Sequence, residues 1–193
     1  MSTIAPRMLD RVPSHPNRHP LRHLVLVGMM GAGKTTVAEA LSRGYGLVLY
    51  DIDQWIEKEE GRSISRIFSE SGEAYFRRKE MEILDRILAL PPGVIATGGG
   101  TFVGETNREK LLKNGLVVYL EASAQALWER AKNADRPLLQ GGKASFESFQ
   151  RILQARTPFY DKAHHRVWVE GRSPESVAGE VWELYWANEG SLP

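Results

Sequence analysis

Leu24-Val25-Leu26-Val27-Gly28-Met29-Met30-Gly31-Ala32-Gly33-Lys34-Thr35-Thr36 decides the fold of this chain. Its first four residues are a continuous apolar run, the pattern of a short strand buried on both faces. Gly28 to Thr35 then fits G-x-x-x-x-G-K-[ST] at every fixed position. The glycines let the loop curl so that successive backbone N–H groups face one anion. A helix starting near Lys34 adds its positive N-terminal end. Lys34 supplies a point charge to the β- and γ-phosphates of a nucleotide, and the Thr35 hydroxyl can ligate Mg²⁺. The predicted nucleotide-binding residues here are Gly31, Ala32, Gly33, Lys34, Thr35 and Thr36. The dinucleotide fingerprint does not fit, because Thr36 stands where that motif wants a third small residue.

Working outward, short apolar runs alternate with helical patterns. Val37, Ala38 and Leu41 give the first helix its apolar side, and Gly44 and Gly46 stop it. Residues 47–50 form a second strand, ending in Asp51-Ile52-Asp53. Residues 54–90 carry no strand signal and at least two helical patterns, one interrupted at Gly61 and a long one opening near Ser71. Further strands are expected at 94–96, 116–120 and 167–169. Helices are expected at about 105–113, from Ser123 through Arg130, over 145–156 and over 174–187. Residues 131–143 are polar, Gly-bearing and basic, and read as a mobile lid. This alternation predicts a parallel sheet covered on both faces, with ligands beyond the carboxyl ends of its strands. The helical stretch at about 51–90 reads as a cap over the sheet edge.

Composition bounds the rest. The chain has 193 residues, which suits one α/β domain. No cysteine is present, so disulfides, thiolate metal sites and a Cys nucleophile are excluded, and a reducing compartment fits. The net charge is +1, so a whole-surface field for nucleic acid is not expected. No stretch reaches the roughly 18 apolar residues of a membrane helix. Residues 1–23 hold Arg7, Arg11, Arg18 and Arg22 against Asp10 alone, with Pro6, Pro13, Pro16 and Pro20. Residues 1–21 are therefore expected to be a flexible basic arm, and 22–193 a single domain.

Two acids follow the second strand. Asp51 and Asp53 point the same way if strand geometry persists. One could hold Mg²⁺ beside Thr35 and the other could face a substrate hydroxyl; alternatively, Asp53 simply caps the helix starting at Gln54. Arg77, Arg78, Arg136 and Arg156 each read either as a solvated surface charge or as a candidate for a carboxylate or phosphate, because a guanidinium fork suits either. Spacing alone does not say which of them converge. His164-His165 reads as surface loop. Trp128, Trp168, Trp182 and Trp186 read as packing residues.

From Leu24 to about Leu184 the chain resembles the shikimate kinase family. The resemblance rests on the joint order of five stretches. They are Asp51-Ile52-Asp53, Phe76-Arg77, Gly98-Gly99-Gly100, Arg136-Pro137-Leu138-Leu139 and Arg156-Thr157-Pro158-Phe159-Tyr160. It implies the nucleoside-monophosphate-kinase type of P-loop fold, a five-stranded parallel sheet in order 2-3-1-4-5. It implies transfer of the γ-phosphoryl of ATP to the 3-hydroxyl of shikimate, on the route to chorismate, with Mg²⁺ as cofactor. By motif position, Arg77 and Arg156 would bind the shikimate carboxylate, Asp53 its hydroxyls, and Gly99 and Gly100 would contact it through the backbone. Thr35 and Asp51 would lie on the metal side. Lys34, Asp53 and Arg136 would carry catalysis, Arg136 arriving from the lid, and Arg130 and Arg172 would flank the adenine. A cytoplasmic monomer binding ATP, ADP and shikimate is expected, with no membrane or nucleic-acid partner. A rival small-molecule kinase, acting on gluconate or a nucleotide, would keep residues 28–36 without needing Asp53, Arg77 and Arg156 together. A binding module without activity is the other rival.

Overall fold

Five parallel strands form one sheet in the order β2-β3-β1-β4-β5 in a computed structural model that describes residues 20–132 and 145–188. The strands are β1 (His23–Val27), β2 (Leu49–Asp51), β3 (Val94–Ala96), β4 (Gly115–Glu121) and β5 (His165–Trp168). The helices are α1 (Lys34–Tyr45), α2 (Ile52–Glu60), α3 (Ile64–Leu88), α4 (Glu105–Asn114), α5 (Ala124–Ala131), α6 (Phe146–Tyr160) and α7 (Pro174–Asn188). The expected strand order and fold class are both observed. The basic arm through residue 19, Arg136 and nearly all of the predicted lid lie outside the described residues.

Every residue of β1 and β3 is buried, which is why they read as unbroken apolar runs. The edge strands are less legible. β2 pairs only from Leu49; Val48 precedes the ladder, its side chain 53% exposed and its carbonyl accepting from Val94 N at 2.8 Å. β5 begins two residues before the apolar run, at His165 and Arg166, because an edge strand can carry polar side chains toward water. Arg166 there pairs with Asp161 and Glu121.

Serine side chains cap four of the described helices. Ser63, Ser123, Ser145 and Ser173 accept from Arg66, Ala126, Ser148 and Ser176 N–H groups respectively. α3 is broken at Gly72 (φ 79°, ψ 166°), a conformation that suits glycine, so the long helix expected from near Ser71 is the second arm of an element that starts at Ile64. Phe76, Ile83, Leu84 and Ile87 form its buried stripe. α6 runs on past Arg156 and through Pro158 to Tyr160, four residues beyond its expected end. Tyr160 is buried and stacks on Tyr119 at 5.1 Å, which anchors that last turn. Of the four tryptophans read as packing residues, Trp182 is buried and Trp128 and Trp186 are half-buried against the core, but Trp168 is 49% exposed on the sheet edge.

Two histidines are structural. His23, inside the expected domain of residues 22–193, opens β1, is buried, and its Nδ1 accepts from Gly93 N at 3.3 Å. The surface-loop expectation for His164 does not hold. His164 is half-buried, and its Nδ1 accepts from Val117 N at 3.0 Å. Burial lowers the pKa of both, outweighing the backbone hydrogen bonds that support the charge on His23. Each is held neutral in the fold, and the unfolded chain takes up the proton first. Stability contributed by these groups is present above the unfolded value near 6.5 and is lost as pH falls toward their lower folded values. The melting temperature should therefore drop between about pH 7 and pH 5, and His23→Asn, which keeps an acceptor for Gly93, should flatten that slope. A parent melting temperature that rises on acidification would contradict this.

Candidate functional site

The phosphate loop leaves β1 and closes on α1. Gly31 has φ 85°, and a Cβ there would collide with the Leu127 carbonyl, so the loop can curl against α5 only with glycine. Gly33, also at positive φ, is the N-cap of α1. The Lys34 side chain folds back over the loop, its Nζ donating to Gly28 O at 2.9 Å and Met29 O at 3.1 Å. Thr35 Oγ1 donates to Asp51 Oδ2 at 2.7 Å.

Asp51, not Asp53, caps the second helix. It ends β2, and its Oδ1 accepts from Gln54 N at 3.1 Å. Strand geometry does not persist to Asp53, which lies in the first turn of α2. The two carboxylates nevertheless line one cavity with Lys34, Thr35, Thr97 and Gly99. Thr35, Asp51 and Asp53 supply hard oxygen donors at its floor, the chemistry Mg²⁺ prefers. No group of three or more acidic, His or Cys residues able to hold a metal occurs among the described residues. A Mg²⁺ ion here would thus take most of its ligands from nucleotide phosphates and water. Over the outer side of the loop, Arg130 and Arg172 line a further cavity with Gly33, Thr36, Val37 and Val169. Arg172 is held by Glu180, Ser176 and the Trp168 carbonyl.

Beyond the carboxyl end of β3 lies a second chamber. It is lined by Met30, Asp53, Phe76, Arg77, Glu80, Gly98, Gly99, Gly100 and Arg156, so five separate parts of the chain meet there. Arg77 donates from Nη1 to Glu80 Oε2 at 2.9 Å and from Nη2 to Glu73 Oε1 at 3.1 Å. Burial opposes its charge, but Glu80 and Glu73 more than offset this and hold Arg77 firmly cationic. Arg156 Nη1 donates to Gly99 O at 3.2 Å, and the Tyr160 hydroxyl donates to the same oxygen at 2.5 Å. Burial pushes the Tyr160 hydroxyl up to about 12, so it stays a proton donor. Gly100 leaves the Arg77 guanidinium its place: a Cβ there would lie 2.6 Å from Arg77 Nη2 and push the fork aside.

The predicted residues Asp53, Arg77, Gly99, Gly100 and Arg156 thus come together, and Lys34, Thr35 and Asp51 face the adjoining cavity. Glu80 and Tyr160 had no predicted role. The signal for Glu80 was present, since it interrupts the apolar stripe Phe76, Ile83, Leu84 and Ile87 with a charge that is 1% exposed. A carboxylate on a buried helix face needs a cation, and Arg77 lies three residues before it.

A phosphate loop opening a five-stranded 2-3-1-4-5 sheet, with a polar chamber beside it, defines a P-loop phosphotransferase of nucleoside-monophosphate-kinase architecture. The shikimate kinase family model matches residues 30–185. The shikimate kinase of Persephonella marina is 39% identical over 162 residues, 83% of this chain and 97% of that protein. That of Cereibacter sphaeroides is 43% identical over 161 residues, 83% of this chain and 80% of the other. The structure of Acinetobacter baumannii shikimate kinase in complex with shikimate superposes with a TM-score of 0.83 at 34% identity, covering 89% of this chain and 96% of that one. The chain belongs to the shikimate kinase family, and its activity is that family's, ATP-dependent phosphorylation of shikimate in aromatic amino-acid biosynthesis.

Gly100→Ala should displace the Arg77 guanidinium and raise the KM for shikimate by about tenfold or more, the scale of one lost charge-assisted hydrogen bond. The KM for ATP should stay within about twofold of the parent. Steady-state kinetics with each substrate varied in turn checks this.

Proposed function

We propose that the chain transfers the γ-phosphoryl of ATP to the 3-hydroxyl of shikimate, giving ADP and shikimate 3-phosphate, with Mg²⁺ as its metal. The observation that carries this reading is the convergence of Arg77, Arg156, Asp53 and Gly98–Gly100 on one chamber beside the phosphate loop. The two arginines answer a carboxylate, and the acid and backbone groups answer a polyol. Gly99 has its carbonyl engaged by Arg156 and Tyr160, so Gly99 and Gly100 would offer the ligand their N–H groups.

The loop N–H groups and Lys34 hold the β- and γ-phosphates, and Lys34 swings from its two carbonyl partners to do so. Thr35 and Asp51, already in contact, would hold the metal, which neutralises charge developing on the phosphate oxygens. Asp53 accepts a hydrogen bond from the attacking hydroxyl and aims it at the γ-phosphorus. Arg130 and Arg172 flank the base. Arg136 acts on the transferring phosphate from the lid at about 131–143, as its motif position implies. Excluding water from the chamber limits wasteful hydrolysis of ATP. Residues about 51–90 act as the substrate-binding cap. We assign the enzyme to the cytoplasm; no helix among the described residues is long and apolar enough to cross a membrane. A monomer suffices, because all of these groups come from one chain.

Coupled ADP release should be at least about 10²-fold faster with shikimate than with ATP alone. Equal rates would overturn the proposal. Asp53→Asn keeps the shape but loses the charge, and should cut turnover by about 10² or more and weaken shikimate binding, with its Mg²⁺ dependence near that of the parent. Asp51→Asn should leave shikimate binding nearly unchanged and regain activity at high Mg²⁺. Recovery of Asp53→Asn by extra metal would mean that the two roles are exchanged.

A further inference from the structure

Thr101 follows the glycine run directly and is fully buried. Its Oγ1 donates to Glu80 Oε1 at 2.6 Å, while the other oxygen of that carboxylate accepts from Arg77 Nη1 at 2.9 Å. Thr97 and Thr157 bond backbone, donating to Leu26 O and Leu153 O at 2.9 Å each, whereas Thr35 in the phosphate loop donates to the Asp51 carboxylate. Thr101 meets a carboxylate that is 1% exposed, and a buried carboxylate is tolerated only when its oxygens are paired. The bond also joins two walls of the substrate chamber, since Thr101 belongs to the loop after β3 and Glu80 to α3. The packing around Gly98 is equally close. A Cβ there would lie 2.8 Å from Asp53 Oδ1, 3.1 Å from Glu80 Oε1 and 3.2 Å from Thr101 Oγ1. The threonine hydroxyl therefore fixes which way the Glu80 carboxylate faces in a space shared with a second acid. That in turn fixes the orientation of the Arg77 fork.

We propose that Thr101 is a positioning residue for shikimate recognition, acting through Glu80 to hold Arg77 in its carboxylate-binding orientation. The inference rests on the reading of Arg77 as a ligand of the shikimate carboxylate. Thr101 touches no substrate atom in this account, so its removal should appear in the KM for one substrate and not in phosphate chemistry.

The test is steady-state kinetics of the full chain with Thr101→Val, Thr101→Ala and Thr101→Ser, each alone and the first also combined with Glu80→Gln and with Arg77→Ala. Thr101→Val and Thr101→Ala should raise the KM for shikimate by about tenfold or more, with kcat and the KM for ATP within about twofold. Thr101→Ser restores the donor and should return the shikimate KM to within about threefold of the parent. In the Glu80→Gln or Arg77→Ala background, Thr101→Val should add less than about twofold, because residues acting in one chain are not additive. Thr101→Ala, with no added bulk, keeps the test open should the valine variant fold poorly. An unchanged shikimate KM in Thr101→Ala, equal increases for both substrates, or effects that multiply in the double variants would overturn the inference. If Arg77→Ala itself leaves the shikimate KM unchanged, the carboxylate reading falls and takes this inference with it. A large Arg77→Ala effect beside a silent Thr101→Ala overturns this inference alone.

Discussion

A parallel sheet can be closed only by crossovers, and every crossover delivers the next strand in the same direction. All five strands here therefore release their chains at one edge. β1 releases the phosphate loop, β2 releases Asp51 and Asp53, and β3 releases Thr97 to Thr101. These three strands are adjacent in the order 2-3-1, so the anion cradle, the acids and the glycine run are neighbours in space although they lie far apart in sequence. The helices between β2 and β3 then cover that edge and bring Arg77 to it.

Charge placement inside the chamber follows from burial. Glu80 is 1% exposed, and a buried carboxylate needs partners for both oxygens, which Arg77 and Thr101 supply. Arg77 is thereby held rigid and cationic on one wall, while Arg156 is steadied on the other by the Gly99 carbonyl. Tyr160 shares that carbonyl as a neutral donor, which ties the end of α6 to the glycine run. Arginines held in place in this way would suit a carboxylate better than mobile ones, since less freedom is lost on binding.

Much of this was legible beforehand, for identifiable reasons. β1 and β3 read clearly because both faces are buried, and the loop from Gly28 to Thr35 admits few alternatives. The edge strands were blurred because β5 opens with His165 and Arg166, whose polarity an apolar-run rule rejects. The alternative that Asp53 only caps a helix falls, because Asp51 is the cap; both acids are competent, and only the turn from β2 into α2 distinguishes them. Helix α6 runs through Pro158, where local rules predict an end, because a buried tyrosine anchors the final turn. Convergence of Arg77 with Arg156 was invisible to spacing and came only from resemblance, since it depends on the order of strands in the sheet. The neutral roles of His23 and His164 were hidden because each satisfies a backbone N–H far away in sequence, that of Gly93 before β3 and that of Val117 in β4.

In the function proposed here, the chamber would select a carboxylate-bearing polyol and present its hydroxyl to ATP. The most direct measurement compares ADP release with shikimate and with its methyl ester, which keeps every hydroxyl and loses only the negative charge. Two charge-assisted contacts depend on that charge, so kcat/KM for the ester should fall by about 10²-fold or more. Turnover of the ester at a rate equal to that of shikimate would contradict the account.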